Sequence, residues 1–354
     1  MSLRRIAANV AVVIGVLIVM LPVAEGIVRV VAPRTLPSQD YIRSFVLKDM
    51  YVADDRAGYR LAPDFTGRIE RGGHVTEFHT NELGLRGDPL GPKTRPRILA
   101  LGDSFTFGWG VGQGEEWVSV LEEELASRGI EAETVNGGVN GYGTESAAAR
   151  FEEIADAVKP DLVLLGFFAN DFTDNLLGAR GIYTVRDGYL FDRFSHEWFQ
   201  ENFLARESHL YRLVSTAWET FRVKYLGGVP AARAVRNFSD AEFEHGMELS
   251  AEWIEKLNRE CVEHDARLAV VWLPADVYAT ARQRPEDIPL RAELQRRVAA
   301  AGIPSIDLLP EVTSEQRISG LYLAGDGHFS VRGNRVAGRA IARWLAAGDL
   351  LPHR

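Results

Sequence analysis

The sequence predicts an α/β fold, a three-layer α/β/α sandwich around a parallel five-stranded sheet. Three observations carry this expectation. Five short apolar runs, at Ile98–Leu101, Ala132–Val135, Leu162–Phe167, Leu268–Leu273 and Pro304–Leu308, alternate with helix-length stretches. The best of these runs are apolar throughout, as in strands covered on both faces of a sheet. Residues with reactive side chains gather just after several runs, where open α/β sheets bind ligands.

The elements follow in order. Met1 to Arg5 carry two arginines, and Ile6 to Ala24 then run 19 residues without a charge, interrupted only by Asn9 and Pro22. Such a run is long enough to cross a bilayer as a helix. A cleaved signal peptide is the competing reading, but a cut after Ala24 would place Pro22 where a small residue is wanted. Residues 1–32 are therefore read as an uncleaved single-pass signal anchor, with the arginines inside and the rest of the chain outside, in the periplasm if the host is Gram-negative. Residues 33–95 mix prolines, glycines and charges with strand-like pieces at Tyr59–Pro63 and His74–Phe78 and turns over Asn81–Gly87, a small β-rich extension. His74 and His79 lack metal-ligand spacing and read as surface residues.

The α/β domain covers residues 96–350. Its helix candidates are Glu115–Arg128, Glu145–Val158, Phe243–His264, Pro289–Ala301 and Val331–Ala347. An insertion at about 174–241 starts with a hairpin around Arg186-Asp187-Gly188-Tyr189 and continues as an aromatic helical segment from Trp198 to Tyr225. A lid over the site and a helix packed on the sheet edge are both open readings of that segment.

Composition narrows the partners. A net charge of -9 and no basic stripe argue against nucleic acid. Cys261, the single cysteine, excludes an intrachain disulfide and a cysteine-based metal site. It falls on the four-residue spacing Leu249, Trp253, Leu257, Cys261, which reads as a packed thiol on a helix's buried face.

Four strand-end segments carry the chemistry: Gly102-Asp103-Ser104 after the first run, Asn136 to Thr144 after the second, Asn170-Asp171 after the third, and Asp326-Gly327-His328 before the last helix. Acyl transfer explains their convergence. A serine hydroxyl needs an imidazole to take its proton, and the imidazole needs a carboxylate to fix its tautomer. Ser104 fits as nucleophile, His328 as base and Asp326 as orienting acid. The backbone amides of Ser104 and Gly141 and the side-chain amide of Asn170 fit an oxyanion hole. Each has a plainer reading: Ser104 or His328 as a helix cap, Asn170 as a turn residue, Asp171 as a cap, and residues 137–143 as a phosphate cradle, although no phosphate-binding fingerprint is present. Asp103 reads as structural, bonding loop amides, with Asn136 and Asn140 bracing the glycine-rich loop.

This set of motifs closely resembles the SGNH or GDSL hydrolase superfamily over residues 96–350, through Gly102-Asp103-Ser104-Phe105-Thr106, Gly141, Asn170-Asp171, and Asp326 with His328. The layout of anchor, β-rich linker and catalytic domain also looks like membrane-tethered bacterial members. The resemblance implies a sheet order of 2-1-3-4-5 and a serine esterase acting without metal or organic cofactor. Two departures stand out. Phe168 occupies the position where the family usually has glycine, and Asp326 precedes His328 by two residues where the family's acid often precedes by three. Asp307 is the reserve acid.

The expected function is hydrolysis of a carboxylic ester, such as an O-acetyl or other acyl group on an envelope glycan or lipid. An acyltransferase using the same triad on an extracytoplasmic polysaccharide is one alternative. A non-catalytic glycan-binding or scaffold protein on the same fold is the other.

Overall fold

The computed structural model describes residues 3–32, 47–71, 74–179, 183–186, 188–192, 204, 207–225, 239–275, 287–315, 320–323, 326–348 and 350–352. The chain divides into two compact units, residues 1–46 with 191–237, and residues 47–190 with 238–354.

The first unit holds α1 (Leu3–Val31), a 29-residue helix. Its stretch Val12–Val31 has a mean hydropathy of 2.2 and is long and apolar enough to cross a membrane, a test that a signal sequence also meets.

The second unit begins with two antiparallel pairs, β1 (Tyr51–Asp54) with β2 (Gly58–Leu61), and β3 (Thr66–Arg71) with β4 (His74–His79). The α/β core follows as β5 (Arg97–Gly102), α2 (Ser104–Phe107), α3 (Trp117–Ala126), β6 (Glu133–Gly138), α4 (Thr144–Val158), β7 (Leu162–Phe167) and α5 (Asp171–Leu177). A two-stranded sheet of β8 (Tyr183–Arg186) and β9 (Tyr189–Asp192) forms the hairpin expected around Gly188. Of the aromatic helical segment, residues 204 and 207–225 are described, including α6 (His209–Tyr225) in the first unit; residues 198–203, 205 and 206 lie outside the described residues. The core resumes with α7 (Asp240–Glu263), β10 (Arg267–Trp272), α8 (Asp287–Ala300), β11 (Ser305–Asp307), α9 (Leu309–Thr313) and α10 (Val331–Ala347).

The five core strands form one parallel sheet in the order β11-β10-β7-β5-β6. Numbered along the chain and read from the other edge, this is 2-1-3-4-5. Side chains alternate across it, as the two-residue strand period requires. Leu99, Leu101, Val163, Leu165, Val270 and Trp272 face α4, α7 and α8, whereas Ile98, Ala100, Leu162, Leu164, Ala269 and Val271 face α3, α9 and α10. Each buried aliphatic side chain contributes roughly 1.5–3 kcal/mol, so two full layers account for the continuous apolar runs.

Element ends shift from the expectations for local reasons. The helix expected from Phe243 starts at Asp240, because Ser239 and Glu242 form a capping box. The helix expected from Glu115 starts at Trp117, since the Glu115 carboxylate instead accepts from Gly112 N–H at 2.8 Å and closes the preceding turn. The second strand runs on to Gly138 because pairing with β5 continues through Gly102↔Gly138. Cys261 is fully buried on α7, among Leu257, Ile254 and Ala251 on the same helix face, and burial pushes its thiol up.

Candidate active site

The serine is seated by glycines. Gly102 ends β5, which lies between β6 and β7, with φ +145°, in register with Gly138 on one side and Gly166 on the other. A Cβ at Gly102 would stand 2.6 Å from the Gly166 carbonyl oxygen, and one at Gly138 would stand 2.2 Å from Phe107 N. Only glycine at these places lets the short helix α2 sit down on the three strand ends. Asp103 caps that helix, its carboxylate accepting from Phe105 N–H at 2.9 Å. Ser104 is the first helical residue, so its own N–H belongs to the turn of amides that have no partner within the helix.

His328 arrives on the loop before α10. Its Nε2 lies 2.7 Å from Ser104 Oγ, and its Nδ1 is hydrogen-bonded to Asp326 Oδ1. A carboxylate only accepts, so Nδ1 carries the proton and Nε2 is left to accept from the serine hydroxyl. All three side chains are half-buried. Asp326 reaches the ring across a two-residue separation through a turn in which Gly327 has φ +89°. Asp307 is engaged elsewhere, accepting from Arg291 at 2.8 Å, Gln295 at 2.9 Å and Leu309 N–H at 2.9 Å.

The structure thus brings Ser104, His328 and Asp326 into one hydrogen-bonded chain. Gly141 and Asn170 stand beyond the ends of the flanking strands β6 and β7. Gly141 has φ +80°, and a Cβ there would meet the Tyr183 ring at 2.6 Å and the Tyr59 hydroxyl at 2.8 Å. Asn170 Nδ2 donates to Asp174 Oδ2 at 2.8 Å, one turn along α5, while its Oδ1 is buried without a partner among the described residues. A small cleft beside Gly141 is lined by Tyr59, Tyr183, Glu145 and Asp174.

Phe168 is accommodated by stacking. Its ring lies on Phe105 with centroids 4.2 Å apart, and Phe105 in turn lies 4.9 Å from the His328 ring. The side chain where the family usually has glycine therefore becomes part of an aromatic wall beside the imidazole. The Phe168 N–H donates to Asp171 at 3.0 Å. Asp171 and Asp103 are both buried carboxyls. Burial pushes Asp103 up to about 6, and burial together with the Asp103 charge pushes Asp171 well above the usual carboxylate range.

Two groups of residues from the β-rich extension were not singled out by sequence pattern. Arg86 is buried and donates to the carbonyls of Phe107 at 2.8 Å, Gly108 at 2.9 Å and Val111 at 2.9 Å, with its guanidinium over the Phe107 ring and 3.8 Å from buried Glu116. It clamps the chain leaving the serine's helix. Tyr59 donates to the Asn140 carbonyl at 2.7 Å, Asn140 Nδ2 donates to Tyr51 at 2.9 Å, and Tyr142 donates to the Tyr59 carbonyl. These bonds hold the loop that carries Gly141. An arginine inside a predicted turn and tyrosines in short strand fragments have no spacing that announces such contacts.

Fold and site together define a class: an α/β sandwich whose sheet presents a Ser–His–carboxylate chain at its carboxyl edge. A family model for GDSL-like lipase/acylhydrolases matches residues 100–336, and the chain belongs to that family. It is similar to an arylesterase of Vibrio mimicus, 35% identical over 75 residues, 21% of this chain and 38% of the relative. It is also similar to the esterase TesA of Pseudomonas aeruginosa, 30% identical over 85 residues, 24% of this chain and 39% of the relative. The matched stretch spans less than two fifths of either relative. Among solved structures, a lipase/acylhydrolase from Enterococcus faecalis covers 73% of this chain and 98% of its own at 20% identity and a TM-score of 0.43.

Proposed function

We propose that the chain is a serine esterase that hydrolyses a carboxylic ester through Ser104, His328 and Asp326. The carrying observation is the 2.7 Å contact between Ser104 Oγ and His328 Nε2, continued from Nδ1 to Asp326. In this reading Oγ attacks the ester carbonyl carbon as its proton passes to Nε2. Negative charge then gathers on the former carbonyl oxygen, where the Ser104 and Gly141 N–H groups and the Asn170 amide serve as donors. As the tetrahedral intermediate collapses, His328 gives its proton to the departing alkoxide, leaving an acyl-serine and an alcohol. Water, losing a proton to His328, attacks the acyl-serine, and collapse returns the serine hydroxyl and releases the acid. Asp326 stabilises the imidazolium in both halves. Membership of a lipase/acylhydrolase family supports this chemistry.

The proposed setting is a single-pass membrane anchor with the catalytic unit outside the cytoplasm. The apolar span of α1 behind an arginine pair supports it. A short acyl group on an envelope glycan or lipid is the substrate class that this setting favours. The test is turnover of a p-nitrophenyl ester by the full-length chain in detergent. Ser104→Ala and His328→Ala should each lower kcat by on the order of 10⁶. Activity surviving in both variants would overturn the assignment.

A further inference from the structure

Within the first unit, α6 is tied to α1 at one particular level. Glu25 of α1 accepts from Ser208 Oγ at 2.7 Å, His209 N–H at 2.9 Å and Leu210 N–H at 2.8 Å, so it caps the first turn of α6. Arg29, one turn further along α1, donates to the Glu207 carbonyl at 2.9 Å and pairs with Glu25 at 2.7 Å. Val28, on the same face of α1, is buried while its neighbours Ile27 and Val30 are exposed.

Glu25 is the first charged residue after the uncharged run Ile6 to Ala24. Nineteen helical residues span ~28 Å, close to the ~30 Å of a bilayer's hydrocarbon. If α1 spans the membrane through its uncharged run Ile6 to Ala24, Glu25 marks the outer boundary of the hydrocarbon. The N-terminus of α6 is then held at that boundary.

The exposed face of α6 suits the position. Val214, Ala217, Trp218 and Phe221 are exposed, at spacings of three, four and seven residues from the first, so they form one stripe. The Trp218 and Phe221 rings stack with centroids 5.9 Å apart, and Trp218 keeps more than half of its surface exposed. Leu210 and Leu213 are half-buried instead. Tryptophan favours the headgroup level, and a helix with one apolar aromatic face lies in the interface plane rather than across the bilayer.

We propose that α6 lies in the outer water–lipid interface beside the anchor, with the face of Val214, Ala217, Trp218 and Phe221 turned into the bilayer. The occupant of that face is lipid, not the catalytic unit and not a second chain. The placement rests on the anchor reading of α1 and is independent of the esterase chemistry.

The test places nitroxide labels on full-length chain reconstituted in phosphatidylethanolamine–phosphatidylglycerol vesicles. Val214→Cys and Trp218→Cys are labelled separately in a Cys261→Ala background, with Val16→Cys in the anchor as reference. Collisions with oxygen, which concentrates in lipid, are compared with collisions with a water-soluble nickel chelate. Labels at 214 and 218 should lose nickel collisions and retain oxygen collisions. Free nickel collisions at both, with the Val16 label shielded, would overturn the placement while leaving the anchor intact. Loss of both kinds of collision at both labels would overturn it in favour of a lid or a second copy covering the stripe. Nickel reaching the Val16 label would remove the anchor, and the placement with it.

Discussion

The two sides of the site are built differently. Ser104 stands just past the end of β5, between β6 and β7, on a turn seated by Gly102, Gly138 and Gly166, capped by Asp103 and clamped from behind by buried Arg86. The histidine and its acid stand on a loop anchored by buried Leu321, Tyr322 and Phe329, with Tyr322 donating to the Pro274 carbonyl at 3.0 Å, and tied by its own backbone. Leu323 N–H donates to the His328 carbonyl at 2.8 Å, Ser330 N–H to Leu321 at 2.8 Å, and Tyr322 bridges to Phe329. Ser104 is thus fixed by strand ends, a cap and a clamp, whereas half-buried Asp326 and His328 meet through a two-residue turn at Gly327. The difference teaches where substitutions should act on chemistry alone and where they should act on the fold as well.

The largest expected effect without loss of structure lies on the loop side. Asp326→Asn should lower kcat for an ester by about 10⁴, because the amide favours the wrong imidazole tautomer. Asp307→Asn should leave kcat within a few-fold of wild type and cost about 1 kcal/mol of stability through its partly buried pair with Arg291. Steady-state kinetics on the two variants decides between the acids; a larger loss at Asp307 would reverse the assignment.

On the serine side, Arg86→Met should act through the fold. It strands the carbonyls of Gly108 and Val111, leaves the Phe107 carbonyl with Asn136 as a donor at 3.3 Å, and leaves Glu116 buried beside an apolar side chain, which together should cost about 3–5 kcal/mol. Urea unfolding would show the loss as a lower midpoint. An unchanged midpoint would mean that the turn is not clamped from the extension.

A smaller effect comes from Asp103 and depends on pH. Burial raises its folded pKa to about 6, above the ordinary carboxylate value near 3.9, so the fold prefers the protonated form. The stability it contributes is fully present below about pH 4 and is lost as pH rises through about 6. Asp103→Asn stays neutral and can still cap α2, so it should gain on wild type by on the order of 1–3 kcal/mol at pH 7 and by little at pH 4. Asp171, shifted in the same direction, keeps part of the slope. Unfolding midpoints across this range that run parallel for variant and wild type would contradict the shift.

Much of the architecture was legible before any coordinates. Leu162–Phe167 and Val331–Ala347 form as expected to the residue, because periodicity is a local property written in the pattern of apolar side chains. The reactive residue types after the strand ends were legible for the same reason, since the positions beyond strand ends are set by the strands themselves. What stayed hidden was the choice among partners. Ser104 and His328 are 224 residues apart, Arg86 and the carbonyls it binds about 20, and no spacing rule joins either set.

The sequence by itself determined the strand and helix alternation, the apolar span at the N-terminus and the reactive residue types that follow the strand ends. Only the tertiary structure decided that Asp326 rather than Asp307 meets the imidazole. It also decided that Phe168 is absorbed by stacking on Phe105, and that an arginine from the extension holds the nucleophile's turn. The reason is physical: side-chain periodicity reports burial along one element, whereas a hydrogen bond or ring contact between elements depends on where the sheet's register and the loops place both ends.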